Sequence, residues 1–375
     1  MLSSYKIKIC LAIPGSHTDR KLWSGTHHTL FEELQKREDV ELSLLEYNLD
    51  NYKIYRLFYK PIKKYIYTWN SNQDFIVRLI SKYAIRKALK KNKTSVDYYL
   101  FPATACPIPE QLIKNGKVAV YTDSLMCDLD KYRPYKLGKY LLTAIYRRNI
   151  VRDIRECSLL FTQNDWSAKR FIQFCGIHER SVYDVHFGIN VNFLNEPKDF
   201  ENQLLLIVLR KGTENLKGLT LLLKSFPLVR KNYPNCRLAV VGTDVGKDIE
   251  NVDCYYNQPR SVTIELFKKC SLYVMPAKRE PNGITYLEAL ANKAPIVGLD
   301  RFAVPEFSGY GKWGFIIGNN SPQVLADTIC DALSNPERLR IMGEQGQLYV
   351  QEHFVWSNTV DKIVKIMKST KIKKS

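Results

Sequence analysis

Residues 272–291 read Leu272-Tyr-Val-Met-Pro-Ala-Lys-Arg-Glu-Pro-Asn-Gly-Ile-Thr-Tyr-Leu-Glu-Ala-Leu-Ala291. The apolar run Leu272–Met275 predicts a buried strand, and Asn282 and Gly283 are typical of a helix start. We predict this helix over Ile284–Ala291 and the next strand over Ile296–Leu299. Because a strand, a helix and a strand follow one another, the stretch predicts a parallel α/β fold.

The same alternation continues on both sides of this stretch. A first series of predicted strands covers Lys6–Ile13, Glu41–Leu45, Tyr98–Phe101, Val118–Tyr121 and Leu159–Thr162, and a second covers Leu204–Leu209, Arg237–Val241, Leu272–Met275, Ile296–Leu299 and Phe315–Ile317. The polar stretch Asn195–Asn202 separates the two series and predicts a linker. A chain of 375 residues also suits two domains.

We therefore predict an α/β protein with two Rossmann-like domains facing a cleft. The N-terminal domain spans residues 1–194 and the C-terminal domain residues 203–355. Residues 356–375 form a C-terminal helix and basic tail, and the helix packs back toward the N-terminal domain through Val360, Ile363 and Ile366.

The chain carries 56 lysine and arginine residues against 38 acids, a net charge of +18, so a large anionic partner is expected. Residues 51–93 are strongly basic and aromatic, with Asp74 as their one acid. Two interpretations are equally open: contact with an anionic membrane surface, or a solvated basic helix face whose aromatic residues pack inward. No nucleic acid is expected, because no recognition motif accompanies the charge.

The nine cysteines are odd in number and contain no Cys-x-x-Cys pair, which favours free thiols. The early apolar run Ile9–Ile13 is a strand rather than a signal segment. No stretch approaches the roughly 20 apolar residues of a membrane span. We expect a cytoplasmic protein, with a peripheral position on the cytoplasmic membrane face as the alternative.

Two carboxylates, Glu280 and Glu288, lie on either side of the predicted helix start. The first amides of that helix, around Asn282 to Thr285, would point at an anion such as a diphosphate. A carboxylate before the helix can accept hydrogen bonds from sugar hydroxyls, and one farther along from ribose hydroxyls. The alternative is a capping acid and a solvated helix glutamate.

Two cations follow the strand Leu204–Leu209. Arg210 closes it and Lys217 precedes the next helix, and together they can neutralise a diphosphate. Lys211 is a rival to Lys217, and surface basic residues beside a turn are the structural alternative.

The stretch from Val274 to Ala291 resembles the donor site of retaining GT-B glycosyltransferases of the fourth family, the glycogen-synthase-like group also called glycosyl transferases group 1. The resemblance covers most of the C-terminal half. It implies that Glu280 contacts the donor sugar, that the amides of Asn282, Gly283, Ile284 and Thr285 hold sugar or phosphate oxygens, and that Glu288 binds the ribose. Arg210 and Lys217 match the family's diphosphate cations, although Leu209 replaces the usual glycine.

Two further residues are candidates through the same resemblance. Gly25, in the loop after the first strand, resembles the family's glycine-rich turn beside donor phosphate or acceptor, and a plain turn is the alternative. Asp123 follows the strand Val118–Tyr121, where relatives place a polar group beside the reacting carbon. A helix N-cap would satisfy Asp123 equally well.

The resemblance implies retaining transfer of a sugar from a nucleotide-diphosphate donor, with UDP favoured, to a glycan or lipid-linked acceptor in surface polysaccharide or glycolipid synthesis. The N-terminal domain would bind the acceptor and the C-terminal domain the sugar nucleotide, whose base would lie near Tyr255–Arg260. No cofactor or metal is expected, since no cluster has ligand spacing. The alternatives are a non-catalytic sugar-nucleotide-binding protein and a GT-B epimerase. A dinucleotide oxidoreductase is disfavoured, because the loop beginning at Pro14 lacks Gly-x-Gly-x-x-Gly.

Overall fold

The computed structural model describes residues 5–20, 22–61, 75–91, 95–102, 108–123, 139–246 and 249–372. The chain forms two compact units: unit 1 comprises Met1–Phe187 with Trp356–Ser375, and unit 2 comprises Gly188–Val355. The division therefore falls at Phe187, ahead of the stretch predicted as the linker.

Unit 1 is built on a parallel sheet of six strands in the order β2-β1-β3-β4-β5-β6. Its strands are β1 (Ile7–Ile13), β2 (Val40–Glu46), β3 (Tyr98–Pro102), β4 (Val118–Thr122), β5 (Leu159–Thr162) and β6 (Val182–Asp184), and its helices are α1 (Thr26–Gln35), α2 (Phe75–Lys91), α3 (Glu110–Lys114), α4 (Lys139–Arg155) and α5 (Asp165–Cys175). The central strands are nearly continuous apolar runs because parallel strands are covered on both faces.

Unit 2 contains a second parallel sheet, in the order β12-β11-β10-β7-β8-β9. Its strands are β7 (Leu204–Val208), β8 (Arg237–Val241), β9 (Val252–Tyr255), β10 (Leu272–Val274), β11 (Ile296–Leu299) and β12 (Gly314–Ile317), and its helices are α6 (Glu214–Lys217), α7 (Leu219–Asn232), α8 (Arg260–Lys269), α9 (Ile284–Ala291), α10 (Val304–Phe307), α11 (Pro322–Leu333) and α12 (Pro336–His353). The strand order reverses between the neighbours β7 and β10. In such sheets ligands bind beyond the carboxyl ends of the strands at this point.

The two parallel sheets confirm the predicted pair of Rossmann-like domains. Each sheet nevertheless has one strand more than the sequence predicted. The additional strands, β6 and β9, lie at the sheet edges and are only half-buried or exposed. Their residues are therefore less uniformly apolar, which is why a search for buried apolar runs overlooked them.

The C-terminal helix α13 (Trp356–Ile372) packs on α1 in unit 1, as predicted. Val360 and Ile363 are buried, as is Met367, whereas the predicted Ile366 is only half-buried. Ion pairs of Asp361 with Arg37 and of Lys368 with Asp39 add to the apolar packing.

Seven cysteines lie in the described part of the chain, and all of them are free thiols. Five are buried, which agrees with their predicted role as small core residues, while Cys106 and Cys127 lie outside the described residues. Among the helices of the described ranges, none combines the length and the apolar character that crossing a bilayer requires.

Candidate active site

The loops that follow β7 and β10 are joined to each other by backbone contacts. The amide of Lys278 donates to the carbonyl of Leu216 at 2.8 Å. Gly218 has a φ of +84°, and a Cβ added there would lie 2.2 Å from the carbonyl oxygen of Pro276. Only glycine permits this approach, so the residue that follows Lys217 fixes the two loops at the reversal of strand order.

Lys217 and Glu280 form an ion pair across these two loops, with side chains that are 23% and 15% exposed. Burial lowers the pKa of Lys217 to about 8, and the positive charge of Arg210 acts in the same direction. Because this pKa is still above 7, the ammonium form prevails at neutral pH and can pair with the Glu280 carboxylate. The pair brings together two residues that the sequence had assigned to one site from separate motifs.

The rival lysine, Lys211, has a different environment. It is exposed, and its ammonium lies 5.2 Å from the centre of the Tyr256 ring. Arg210 is held in a tight turn, in which the Thr213 hydroxyl donates to the Arg210 carbonyl at 2.7 Å. The geometry therefore favours Lys217 over Lys211 as the lysine beside Glu280.

Glu280 also caps the start of α9. Its carboxylate accepts a hydrogen bond of 2.9 Å from the amide of Gly283, which has a φ of +48°. The half-buried Asn282 and Ile284 flank this glycine. The Tyr273 hydroxyl donates to the hydroxyl of Thr285 at 2.7 Å, so that side chain faces the interior and the backbone of Thr285 remains for ligand contact.

Glu288, in the second turn of α9, is almost fully buried. Its carboxylate forms an ion pair with Arg260, the first residue of α8. Burial raises the pKa of Glu288, and Arg260 partly offsets that effect. No role was predicted for the Arg260 side chain, although the residue closes the segment predicted to lie near the base.

The two remaining candidates belong to unit 1. Gly25 is the N-cap residue of α1, with a φ of +87° that suits glycine. Asp123 follows β4, and its backbone carbonyl accepts a 2.7 Å hydrogen bond from the Ser167 hydroxyl. The helix start that would make Asp123 an N-cap falls in 124–138, outside the described residues.

The described site in unit 2 combines cations and hydrogen-bond acceptors at the end of its sheet. Arg210, Lys217 and Arg260 supply three cations, and the first amides of α9 add the positive end of a helix dipole. Glu280, before α9, and Glu288, in its second turn, supply acceptors. The arrangement can bind an anion and hydroxyl groups together.

The chain resembles known proteins in sequence and in fold. Residues 192–349 match the family described as glycosyl transferases group 1. A D-inositol 3-phosphate glycosyltransferase of Corynebacterium urealyticum is 23% identical over 177 residues, 42% of this chain and 41% of that protein. A GDP-mannose-dependent alpha-(1-6)-phosphatidylinositol monomannoside mannosyltransferase of Mycolicibacterium smegmatis is 25% identical over 159 residues, 37% of this chain and 41% of that protein.

These matches span about two fifths of the length of the curated relatives. The fold similarity extends farther, since the sucrose-phosphate synthase of Thermosynechococcus elongatus superposes with a TM-score of 0.70 over 98% of this chain and 100% of that one, at 12% identity. The chain therefore has the GT-B fold, and its residues 192–349 are similar to the glycosyl transferases group 1 family.

Proposed function

We propose that this protein is a retaining glycosyltransferase that moves a hexosyl group from a nucleotide-diphosphate donor to a glycan or lipid-linked acceptor. The ion pair of Lys217 with Glu280 carries the proposal. This pair supports the proposal, because a cation that could stabilise the leaving diphosphate lies beside a carboxylate that could accept from sugar hydroxyls, at the point where a sheet of this order binds ligands.

Each part of the donor has a matching group in unit 2. The diphosphate would bind between Arg210, Lys217 and the first amides of α9. The sugar hydroxyls would donate to Glu280, and the ribose hydroxyls to Glu288. Lys217 would then exchange its contact with Glu280 for one with phosphate, which leaves the carboxylate available to the sugar.

The transfer itself breaks the bond between the anomeric carbon and the phosphate oxygen. The acceptor oxygen bonds to that carbon from the same face, and its proton passes to the departing phosphate. The electron pair of the broken bond remains on the diphosphate, where Arg210 and Lys217 stabilise the growing negative charge. The bonds, the electron pair and the proton of this proposed step are all accounted for without a metal or cofactor.

Gly25 and Asp123 are proposed for the reacting end of the ligands. The backbone at Gly25 can approach a donor or acceptor oxygen closely because no Cβ intervenes. Asp123 would position the reacting sugar. Exchange of Asp123 for Asn tests this role, since it retains the shape and removes the charge, and we expect slower transfer with little change in donor binding.

The donor base and the acceptor are proposed from resemblance. We favour UDP, whereas one relative named above is GDP-mannose-dependent. The two curated relatives are named for inositol phosphate and phosphatidylinositol monomannoside chemistry, which supports a phosphorylated or lipid acceptor in glycolipid or polysaccharide synthesis. A cytoplasmic protein, or one on the cytoplasmic membrane face, stays our prediction.

The test is a transfer assay that crosses UDP- and GDP-sugars with inositol phosphates, phosphatidylinositol and polyprenyl-linked glycans. We expect one donor to yield a glycosylated acceptor whose anomeric configuration matches the donor, read by NMR. Tight binding of a sugar nucleotide without turnover would favour the non-catalytic alternative. Isomerisation of the donor would favour an epimerase.

A further inference from the structure

The basic, aromatic segment of unit 1 contains a short π-helix with one apolar side directed outward. Of its residues Ile54–Tyr59, Tyr55 and Tyr59 are buried, whereas Ile54, Leu57 and Phe58 are 71%, 57% and 70% exposed. These two tyrosines therefore pack inward, as the interpretation of the segment as a solvated basic helix face predicts. The exposed residues are apolar, however, which that interpretation does not explain.

The helix α2 continues this pattern. Ile76, Leu79 and Tyr83 lie three and four residues apart and are all exposed, while the opposite face buries Val77 and Ile85. Farther along, the exposed side becomes basic at Arg86, Lys87, Lys90 and Lys91. An exposed helix face that is first apolar and then cationic is unusual for a solvated surface.

The two elements are neighbours. The ring of Tyr52, two residues before the π-helix, contacts the ring of Tyr83 at 5.7 Å in an edge-on arrangement, and the Lys87 ammonium lies 6.0 Å from the same Tyr52 ring. The buried residues Tyr55 and Val77 belong to one core. The segment that leads into the π-helix therefore contacts α2, and the exposed apolar residues of both elements rest on the same core.

We propose that this surface inserts into the interfacial layer of an anionic lipid bilayer. We call it the insertion face and define it by its apolar residues, which are Ile54, Leu57, Phe58, Ile76, Leu79 and Tyr83. Apolar side chains among lysines and arginines are what a peripheral protein presents to lipid headgroups and to the upper acyl chains.

The charges around the insertion face favour a bilayer over a second copy of the chain. Every charged residue in 51–61 and 75–91 is basic. A symmetric contact would bring these like charges together, whereas an anionic headgroup layer neutralises them. Lys53 and Arg56 lie among the exposed apolar residues of the π-helix, while Lys60, which follows it, pairs with Asp50.

The proposal goes beyond the transfer reaction and is tested without a sugar donor. Purified protein is floated with vesicles of phosphatidylcholine alone or with one quarter phosphatidylglycerol, at low and physiological salt. We expect flotation with the anionic vesicles and at least tenfold less with the neutral ones. The double substitution Leu57→Glu, Phe58→Glu should reduce partitioning onto anionic vesicles at least tenfold. In the double variant Arg86→Gln, Lys90→Gln, the loss of each cation should reduce partitioning about fivefold.

Matched controls come from unit 2. Leu348→Glu changes a side chain that is 63% exposed on α12, and Lys224→Gln, Lys231→Gln removes two exposed cations from α7. Neither should alter flotation. Since the substituted positions are exposed, the thermal unfolding temperature of each variant should equal that of the native protein. In a further variant, Phe58→Trp, the tryptophan fluorescence should shift to shorter wavelength with anionic vesicles only.

Three results would overturn the proposal. They are failure of the native protein to float with anionic vesicles, equal flotation of the Leu57→Glu, Phe58→Glu variant, and conversion of a dimer into a monomer by that variant in gel filtration. The last result would identify the face as a contact between copies. Transfer to a soluble acceptor should survive the substitutions, so loss of flotation is distinguishable from failure of the proposed enzyme.

Discussion

The guanidinium of Arg260 contacts the carboxylate of Glu288, and the two partners differ sharply in exposure, at 55% and 3%. The carboxylate is buried in the second turn of α9, where loss of solvent disfavours its charged form, and Arg260 is the cation that offsets this. An exposed side chain thus lowers the pKa of a buried candidate ribose ligand, against the larger opposing effect of burial. Arg260 is accordingly a positioning residue in the proposed site.

Replacement of Arg260 by Ala should destabilise the fold, and more so at high pH. A buried acid with a raised pKa favours the folded state at low pH, and that contribution is lost as pH rises through the folded pKa. We expect a loss of about 1–2 kcal/mol at pH 8, below the usual cost of breaking a fully buried pair because Arg260 is half in solvent. The loss should be smaller at pH 5, as measured by urea unfolding.

The matched control is Arg237→Ala, because the pair of Arg237 with Asp253 is exposed on both sides. That change should lower the free energy of unfolding by no more than about 0.5–1 kcal/mol, and by the same amount at pH 5 and pH 8. A pH-independent deficit in the Arg260 variant would contradict the assigned role.

Lys217 sets the upper pH limit of the proposed reaction. Since its pKa is lowered to about 8, the ammonium that stabilises the leaving diphosphate is lost as pH rises through that value. We expect kcat/KM to fall above pH 8, and the falling limb to move to higher pH in Lys217→Arg. Lys217→Ala should lower turnover roughly 10²–10³-fold, with little change in thermal stability.

Lys211→Ala is the companion variant, because Lys211 is the exposed rival beside Tyr256. Its pH profile should match that of the native protein. A high-pH limb that disappears in this variant, or persists unshifted in Lys217→Arg, would assign the titration to another group.

Glu280→Gln separates the two contacts of that carboxylate. Glutamine can still accept from the Gly283 amide, but it no longer pairs with Lys217 or repels phosphate. Binding of a nucleoside diphosphate should tighten by about 1 kcal/mol, or fivefold, since one nearby negative charge is removed. Sugar transfer should slow roughly 10²-fold. Calorimetry and initial rates measure the two effects, and weaker diphosphate binding would sink the assignment.

Much of the unit 2 site could be predicted from the order of residues along the chain. Strand, glycine and helix follow one another from Leu272 to Ala291, so local periodicity places Glu280 before the helix and Glu288 within it. The edge strands β6 and β9 were not predicted, because half-buried strands carry a weaker apolar pattern.

The pairings across the site could not be predicted in this way. The choice of Lys217 over Lys211 depends on which lysine is buried against Glu280, and a position in the chain does not reveal burial. Arg260 reaches Glu288 from a different helix, so no local pattern joins them. Likewise, charge and aromatic content described the basic segment, whereas the exposure of Ile54 and Phe58 required the fold.

Gly283→Ala tests whether the helix start is fixed by close packing. Gly283 has a φ of +48°, and an added Cβ would lie 2.4 Å from the ring of Tyr286, which is fully buried and cannot move aside. We expect the free energy of unfolding to fall by about 1–2 kcal/mol because alanine disfavours the left-handed backbone, and by about 1–3 kcal/mol more because the new methyl group overpacks the site. Gly311→Ala isolates the first effect, because its φ is +98° and no atom of the described chain lies within 4 Å of the new Cβ. Urea unfolding of both variants gives the difference, and equal costs would mean that the ring of Tyr286 does not constrain the residue capped by Glu280.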